Sequence, residues 1–215
     1  MAKAMLPAWK GSRRFSWEVS GTFQLPHDFE LEDGKRVRIR RAWPSDRDEL
    51  IEGFEQLSPR SRYLRFFSAT PKLTDRLLRQ LTSIDGDRHV ALVAEDLGAS
   101  GKTRGLGVAR FIRRSEDPTT AELALTVIDE IQGHGLGRAL LDHLVVEASR
   151  HGVSRFIAVV LPENRAMNGL MRSIAPDAEV SFVDGAERYE ISLDRLDPGK
   201  IRGAPESPGG LGRLD

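Results

Sequence analysis

Apolar and polar residues alternate in Phe29-Glu30-Leu31-Glu32 and again in Val37-Arg38-Ile39-Arg40, with Asp33-Gly34 between them. Alternation of period two predicts a half-buried strand. Asp-Gly between two such runs predicts a hairpin whose two turn residues both need positive φ. The pattern then changes. Pro44 stops the strand, and Ser45 or Asp46 can cap a helix that carries Leu50, Ile51, Phe54 and Leu57. Ser58-Pro59 opens a second short helix with Tyr63, Leu64, Phe66 and Phe67, and Leu73–Leu81 reads as a third.

Three strand-like runs follow at Val90–Glu95, Leu106–Ile112 and Ala121–Ile128, separated by turn-rich segments at Gly98–Gly105 and Glu116–Thr119. An antiparallel meander is their simplest arrangement. Leu136, Leu140, Leu141, Leu144, Val145 and Ala148 then share one face of a long helix that His151-Gly152 can end. Phe156–Leu161 is a continuous apolar run, the pattern of a strand buried on both faces. Asn164–Ile174 reads as helix, and Val180–Val183 with Arg188–Leu193 reads as a last hairpin around Asp184-Gly185. The order is mixed α/β, of α+β type, in one layered domain over residues 29–195. Residues 1–28 form an arm whose Trp9, Phe15, Trp17 and Phe23 are apolar enough to dock in part. From Asp197 the Pro/Gly-rich end reads as a disordered tail over 196–215.

Composition narrows the chemistry. The 215 residues carry 32 basic and 32 acidic side chains without a basic stripe, which disfavours a nucleic-acid partner. There is no cysteine, so disulfides, thiolate metal sites and a cysteine nucleophile are excluded together. The five histidines lack ligand spacing, and no metal is expected. No signal-like or membrane-spanning apolar run is present, so the cytoplasm is the expected location and no membrane partner is foreseen.

The informative stretch is Ala121–Ile128 followed by Gln132-Gly133-His134-Gly135-Leu136-Gly137-Arg138. A strand there runs through a glycine-rich turn into an amphipathic helix. Unpaired N–H groups and the positive end of the helix dipole meet at such a point and favour a phosphate. Glycine lets the backbone come close to it. The turn lacks the Gly-Lys-Ser/Thr of a P-loop, and it fails the G-x-G-x-x-G dinucleotide spacing.

The turn does fit Gln/Arg-x-x-Gly-x-Gly/Ala, and here the chain resembles the GNAT acyltransferase superfamily from about Val37 to Leu193. Two phrases are more specific. Leu57-Ser58-Pro59-Arg60-Ser61-Arg62-Tyr63-Leu64-Arg65-Phe66-Phe67 and Leu161-Pro162-Glu163-Asn164-Arg165-Ala166-Met167 are similar to the GNAT domain of bacterial protein lysine acetyltransferases.

The resemblance implies a mostly antiparallel twisted sheet flanked by helices, with a splay between central strands. It implies acetyl-CoA as cosubstrate, its pyrophosphate on the backbone amides of Gln132, Gly133, His134, Gly135, Leu136, Gly137 and Arg138. The edge at Leu125 and Val127 would pair with the pantetheine arm, and Asn164 would touch the cofactor where the strands part. Glu122 falls at the position of the general base. An amine with a pKa of about 10.4 must lose a proton before it attacks, and a partly buried carboxylate suits that task.

The family pattern is incomplete at Met171, where many members carry a tyrosine that protonates the leaving thiolate, and at Ala175-Pro176, where they carry Gly-Phe. Glu163 is a second, weaker base candidate. His134 is read as a solvent-facing side chain, and His89 and His151 as surface or capping residues. Tyr63, Phe66 and Phe67 are read as core, or as the border of the acceptor groove.

The expected reaction is direct transfer to a lysine of an acceptor protein, such as an acyl-CoA synthetase. A small-molecule amine is the first alternative, and a non-catalytic acyl-CoA sensor the second. A homodimer is compatible with this reading. Some resembling enzymes carry a nucleotide-sensing or CoA-ligase domain, for which the stretches outside 29–195 are too short.

Overall fold

The computed structural model describes residues 24–68, 72–98 and 103–196. The aromatic arm up to Phe23 and the tail from Asp197 lie outside those residues. Eight strands form one sheet in the order β1-β2-β3-β4-β5-β6-β8-β7. They are β1 (His27–Glu30), β2 (Arg36–Arg41), β3 (His89–Asp96), β4 (Arg104–Arg113), β5 (Thr120–Val127), β6 (Arg155–Val160), β7 (Glu179–Val183) and β8 (Ala186–Ser192). The helices are α1 (Arg47–Glu55), α2 (Pro59–Phe66), α3 (Asp75–Thr82), α4 (Leu136–Arg150) and α5 (Arg165–Ile174). Only β5 and β6 pair in parallel, because α4 carries the chain back across the sheet between them. No helix among the described residues is long and apolar enough to cross a membrane.

The expected elements are present, with local corrections. β1 starts at His27, so the first two of its residues belong to the sheet and not to the arm. The two Asp-Gly turns differ. At Asp184-Gly185 both residues have positive φ, and Val183 pairs directly with Ala186. At Asp33-Gly34 only Gly34 does, because Glu30 pairs with Arg36 and the longer loop needs one left-handed residue. Asp46 precedes α1 without a side-chain capping bond; its carboxylate instead accepts from the Trp43 amide at 2.8 Å and from Arg40. Ser58 and Thr74 do cap α2 and α3, accepting from Ser61 N at 3.1 Å and Leu77 N at 3.2 Å.

The core lies between the sheet and α4, where Leu136, Leu140, Leu141, Leu144, Val145 and Ala148 meet Leu106, Ala109, Phe111, Ala121 and Phe156. Gly107 lets α4 approach. A Cβ there would lie 2.9 Å from the Thr126 carbonyl and 3.1 Å from Leu140. The opposite face carries α1, α2 and α3. Neither α1 nor α2 has a fully buried residue, so this cover is open and leaves a groove over β4 and β5.

Candidate active site

β5 is paired with β4 along its length, from Ala121 opposite Arg113 to Val127 opposite Gly107. On its other side it pairs with β6 only at Thr120, Ala121 and Glu122. From Leu123 onward the two strands part, and a cleft of about 930 Å³ opens between them. The backbone edge of Leu123–Val127 therefore faces the cleft without a strand partner, and this is where an extended amide-bearing ligand can add hydrogen bonds. The splay also corrects the expectation for β6. Phe156, Ile157, Ala158 and Val160 are buried, but Val159 is 47% exposed because its neighbour strand has turned away.

The glycine-rich turn closes one end of the cleft. Gly133 and Gly135 have φ of +85° and +87°, a region costly for any other residue. Among the described residues the N–H groups of Gly133, Gly135, Leu136 and Gly137 find no acceptor, and the first helical bond runs from Ala139 N to Gly135 O at 3.1 Å. Four free donors at the start of a fifteen-residue helix fit a diphosphate. The Gln132 amide does not join them, since it donates to Asp129 O at 3.3 Å, and the His134 amide leans on Ile131 O at 3.5 Å.

The Gln132 side chain donates to Val127 O at 2.9 Å and so ties the turn to the free end of β5. Arg138 faces the cleft but is held by the buried Asp142 at 2.9 Å and by Ser173 Oγ at 3.2 Å. His134 is half-buried with an unpaired buried Nδ1, so it does not point to solvent as the sequence reading had it. Asn164 lines the cleft and caps α5 through Oδ1, which accepts from Met167 N at 3.1 Å. Its Nδ2 has no partner among the described residues and is available to a ligand.

Glu122 stands at the last paired position before the strands part, on the sheet face that also carries Ala124 and Thr126. It is exposed and lines the cleft, and the partial burial expected of it is absent. Glu163 is turned aside, accepting from the Tyr63 hydroxyl at 3.0 Å. Phe66 and Phe67 line the cleft and neither is buried, so they border the groove and are not core. Met171 is fully buried, and Tyr63 and Tyr189 both lie away from the cleft lining. The Tyr189 hydroxyl donates to Glu187 at 2.7 Å and meets Asn168 Oδ1 at 3.1 Å.

Three features went unseen in the sequence. Asp129 accepts from Ser58 N at 2.9 Å, Ser58 Oγ at 2.7 Å and Ser61 Oγ at 2.8 Å, fastening α2 to the segment that leads into the glycine turn. Arg65 donates from Nε to Thr126 Oγ1 at 3.1 Å. Arg110, only 4% exposed, donates to the Leu81 carbonyl at 2.8 Å and lies 3.5 Å from His89 Nε2. His89 is itself buried, not on the surface as expected, and burial followed by the Arg110 charge lowers its pKa. Among the described residues no group of three or more His, Cys, Asp or Glu side chains can hold a metal ion.

A mostly antiparallel sheet that splays beside a glycine-rich helix start defines an acyltransferase fold of the GNAT class. The sequence profile of the Acetyltransferase (GNAT) family matches residues 52–174. The chain is 36% identical over 158 residues to Acetyltransferase Pat of Mycolicibacterium smegmatis, covering 74% of this chain and 46% of that protein. It is 36% identical over 143 residues to Acetyltransferase PA5475 of Pseudomonas aeruginosa, covering 65% and 74%. The crystal structure of the GNAT domain of S. lividans PAT superposes with a TM-score of 0.68 at 30% identity, covering 81% of this chain and 99% of that domain. The chain belongs to the GNAT acetyltransferase family. It spans less than half the length of the Mycolicibacterium relative.

Proposed function

We propose that this protein transfers the acetyl group of acetyl-CoA to a lysine amine of an acceptor protein in the cytoplasm, with Glu122 as the general base. One observation carries the reading. Among the described residues Glu122 is the single carboxylate lining the cleft, and it stands at the fork where β5 leaves β6. The free amides of Gly133, Gly135, Leu136 and Gly137 suit the pyrophosphate, the open edge at Leu125 and Val127 suits the pantetheine amides, and the Asn164 Nδ2, beyond the end of β6 on the facing wall, suits the arm as well. Acetyl-CoA supplies an activated acyl group whose thiolate leaves with a thiol pKa of about 8.5.

The residues of the chain do the rest. Glu122 takes the proton from an ammonium whose pKa of about 10.4 keeps it unreactive. The unpaired backbone fixes the thioester within reach, which replaces a collision by a positioned attack. Neither tyrosine reaches the cleft, so no side chain of that type is available as the acid for the leaving thiolate, and solvent at the open cleft is the proton source. An exposed base in an open groove suits a lysine on a protein surface better than a small enclosed amine.

The test is release of free thiol from acetyl-CoA, offering acyl-CoA synthetases as protein acceptors and, separately, a panel of small amines. Glu122-dependent turnover with a protein supports the reading. Turnover with small amines alone transfers it to that class, and acetyl-CoA binding with no turnover makes the chain a sensor.

A further inference from the structure

Among the described residues six charged side chains line the cleft: Glu122 and the arginines at 65, 110, 114, 138 and 188. Three of the arginines are matched. Arg138 is paired with Asp142 at 2.9 Å, Arg188 with Glu190 at 3.1 Å, and Arg114 lies 3.6 Å from Glu116. Arg65 and Arg110 make no ion pair among the described residues. Both are placed by neutral groups instead. Arg65 rests on Thr126 Oγ1, and Arg110 on the Leu81 carbonyl and His89. His89 Nδ1 donates to Ser83 O at 2.9 Å, so its Nε2 lone pair faces the Arg110 guanidinium.

The register puts this pair beside the base. Arg110 is opposite Ala124, two residues along β5 from Glu122 on the same face, a diagonal step of about 7–8 Å between α-carbons. Burial, with the Arg65 charge adding to it, pushes the Arg110 guanidinium down to about 9, and burial pushes Arg65 to about 10. Both remain protonated at neutral pH. None of the Arg65 or Arg110 nitrogens is among the buried unpaired atoms, and both side chains line the cleft and a smaller pocket toward α1, so the donors they do not use internally reach open space at the border of the two. Two adjacent cations withdrawn from water and left without an anion are costly, and a ligand anion repays that cost. A carboxylate matches the planar fork of a guanidinium.

We infer that Arg65 and Arg110 form a carboxylate subsite for the acceptor, so that the preferred lysine has an acidic side chain next to it. This rests on the reading of Glu122 as base and of its face of the cleft as the acceptor side. The test uses two synthetic peptides with a single lysine, identical except for Glu or Gln at the flanking positions. The readout is the ratio of their kcat/KM values within each protein, so a general loss of activity cancels; affinity for the protein saturated with coenzyme A is read in parallel.

The wild type is expected to prefer the Glu peptide about tenfold. Arg65→Gln and Arg110→Gln should bring the ratio toward one, and Arg110→Lys, which keeps the charge, should restore most of it. Equal handling of the two peptides by the wild type, in turnover and in binding, overturns the inference. So does a preference that survives both Gln variants. An arginine-dependent preference for succinyl-CoA over acetyl-CoA, with no peptide discrimination, also overturns it by assigning the carboxylate to the acyl chain. Loss of turnover in Glu122→Gln with unchanged discrimination by the arginine variants sinks the subsite alone; full activity in Glu122→Gln sinks the reading beneath it.

Discussion

Gly135 and Gly137 lie two residues apart in the same turn, and their geometry sets different tolerances. Gly135 has φ of +87°, whereas a Cβ on Gly137 would make ordinary contacts of 3.6–3.9 Å with Leu125, Val127 and Leu170. Gly135→Ala should cost about 1–2 kcal/mol and raise KM for acetyl-CoA, while Gly137→Ala should leave both nearly unchanged. Thermal unfolding and saturation kinetics on the two variants check the contrast. At Glu122 the expected effect is on the chemical step. Glu122→Gln should lower kcat by about 10²–10⁴ with KM for acetyl-CoA little altered, as removal of a general base does. A change in KM alone would give Glu122 a binding role instead.

Between elements, the joint formed by Asp129 matters most. It holds α2, which carries Arg65 and the Phe66 border of the groove, against the segment before the glycine turn. Ser61 also meets Gln132 Nε2 at 3.3 Å, and Gln132 reaches Val127 O, so one chain of polar contacts spans both halves of the cleft. Hydrogen bonds to a carboxylate contribute about 1.5–3 kcal/mol when sheltered and less when exposed, as here. Asp129→Ala should therefore lower stability by about 1 kcal/mol and weaken acetyl-CoA and acceptor together. Denaturant titration with KM for both substrates tests this, and an effect confined to one substrate would deny the coupling. The Ser58 and Ser61 of the first family phrase have a physical reason in this joint. The spacing of the two serines marks a helix cap, but nothing in the chain announces a partner 71 residues away.

At the scale of the molecule, β1 is fastened to α4 through His27 Nδ1 and His143 Nε2, 2.8 Å apart. His143 also bonds the Ala139 carbonyl through Nδ1 at 2.8 Å, which places a proton on Nδ1. Burial is the main cause that pushes His143 down to about 4, and burial lowers His27 as well. A histidine with a folded pKa below its unfolded value of about 6.5 takes up its proton first in the unfolded chain. Its contribution to stability is therefore full above pH 6.5 and is lost as pH falls from there toward 4. Linkage predicts a loss of about 2 kcal/mol between pH 7 and pH 5 from His143 alone. Urea unfolding at the two pH values measures it, and His143→Gln should flatten the dependence.

Local sequence determined the elements and the chemistry of short range. Period-two and helical patterns placed the strands and helices because each must bury one face, and the glycines marked the turn before α4 because only glycine adopts the left-handed backbone at Gly133 and Gly135 freely. The hairpin at Asp184-Gly185 was legible for the same reason. The tertiary structure decided what depends on which strands stop pairing. It made β5 and β6 part after Glu122, opened Val159 to the cleft, left Glu122 exposed, and turned Phe66 and Phe67 from core candidates into groove walls. Arg65 and Arg110 looked like ordinary charged residues of a helix and a strand. Their meeting beside Glu122 needed the fold, because the cost of an unmatched charge depends on neighbours brought together from distant parts of the chain.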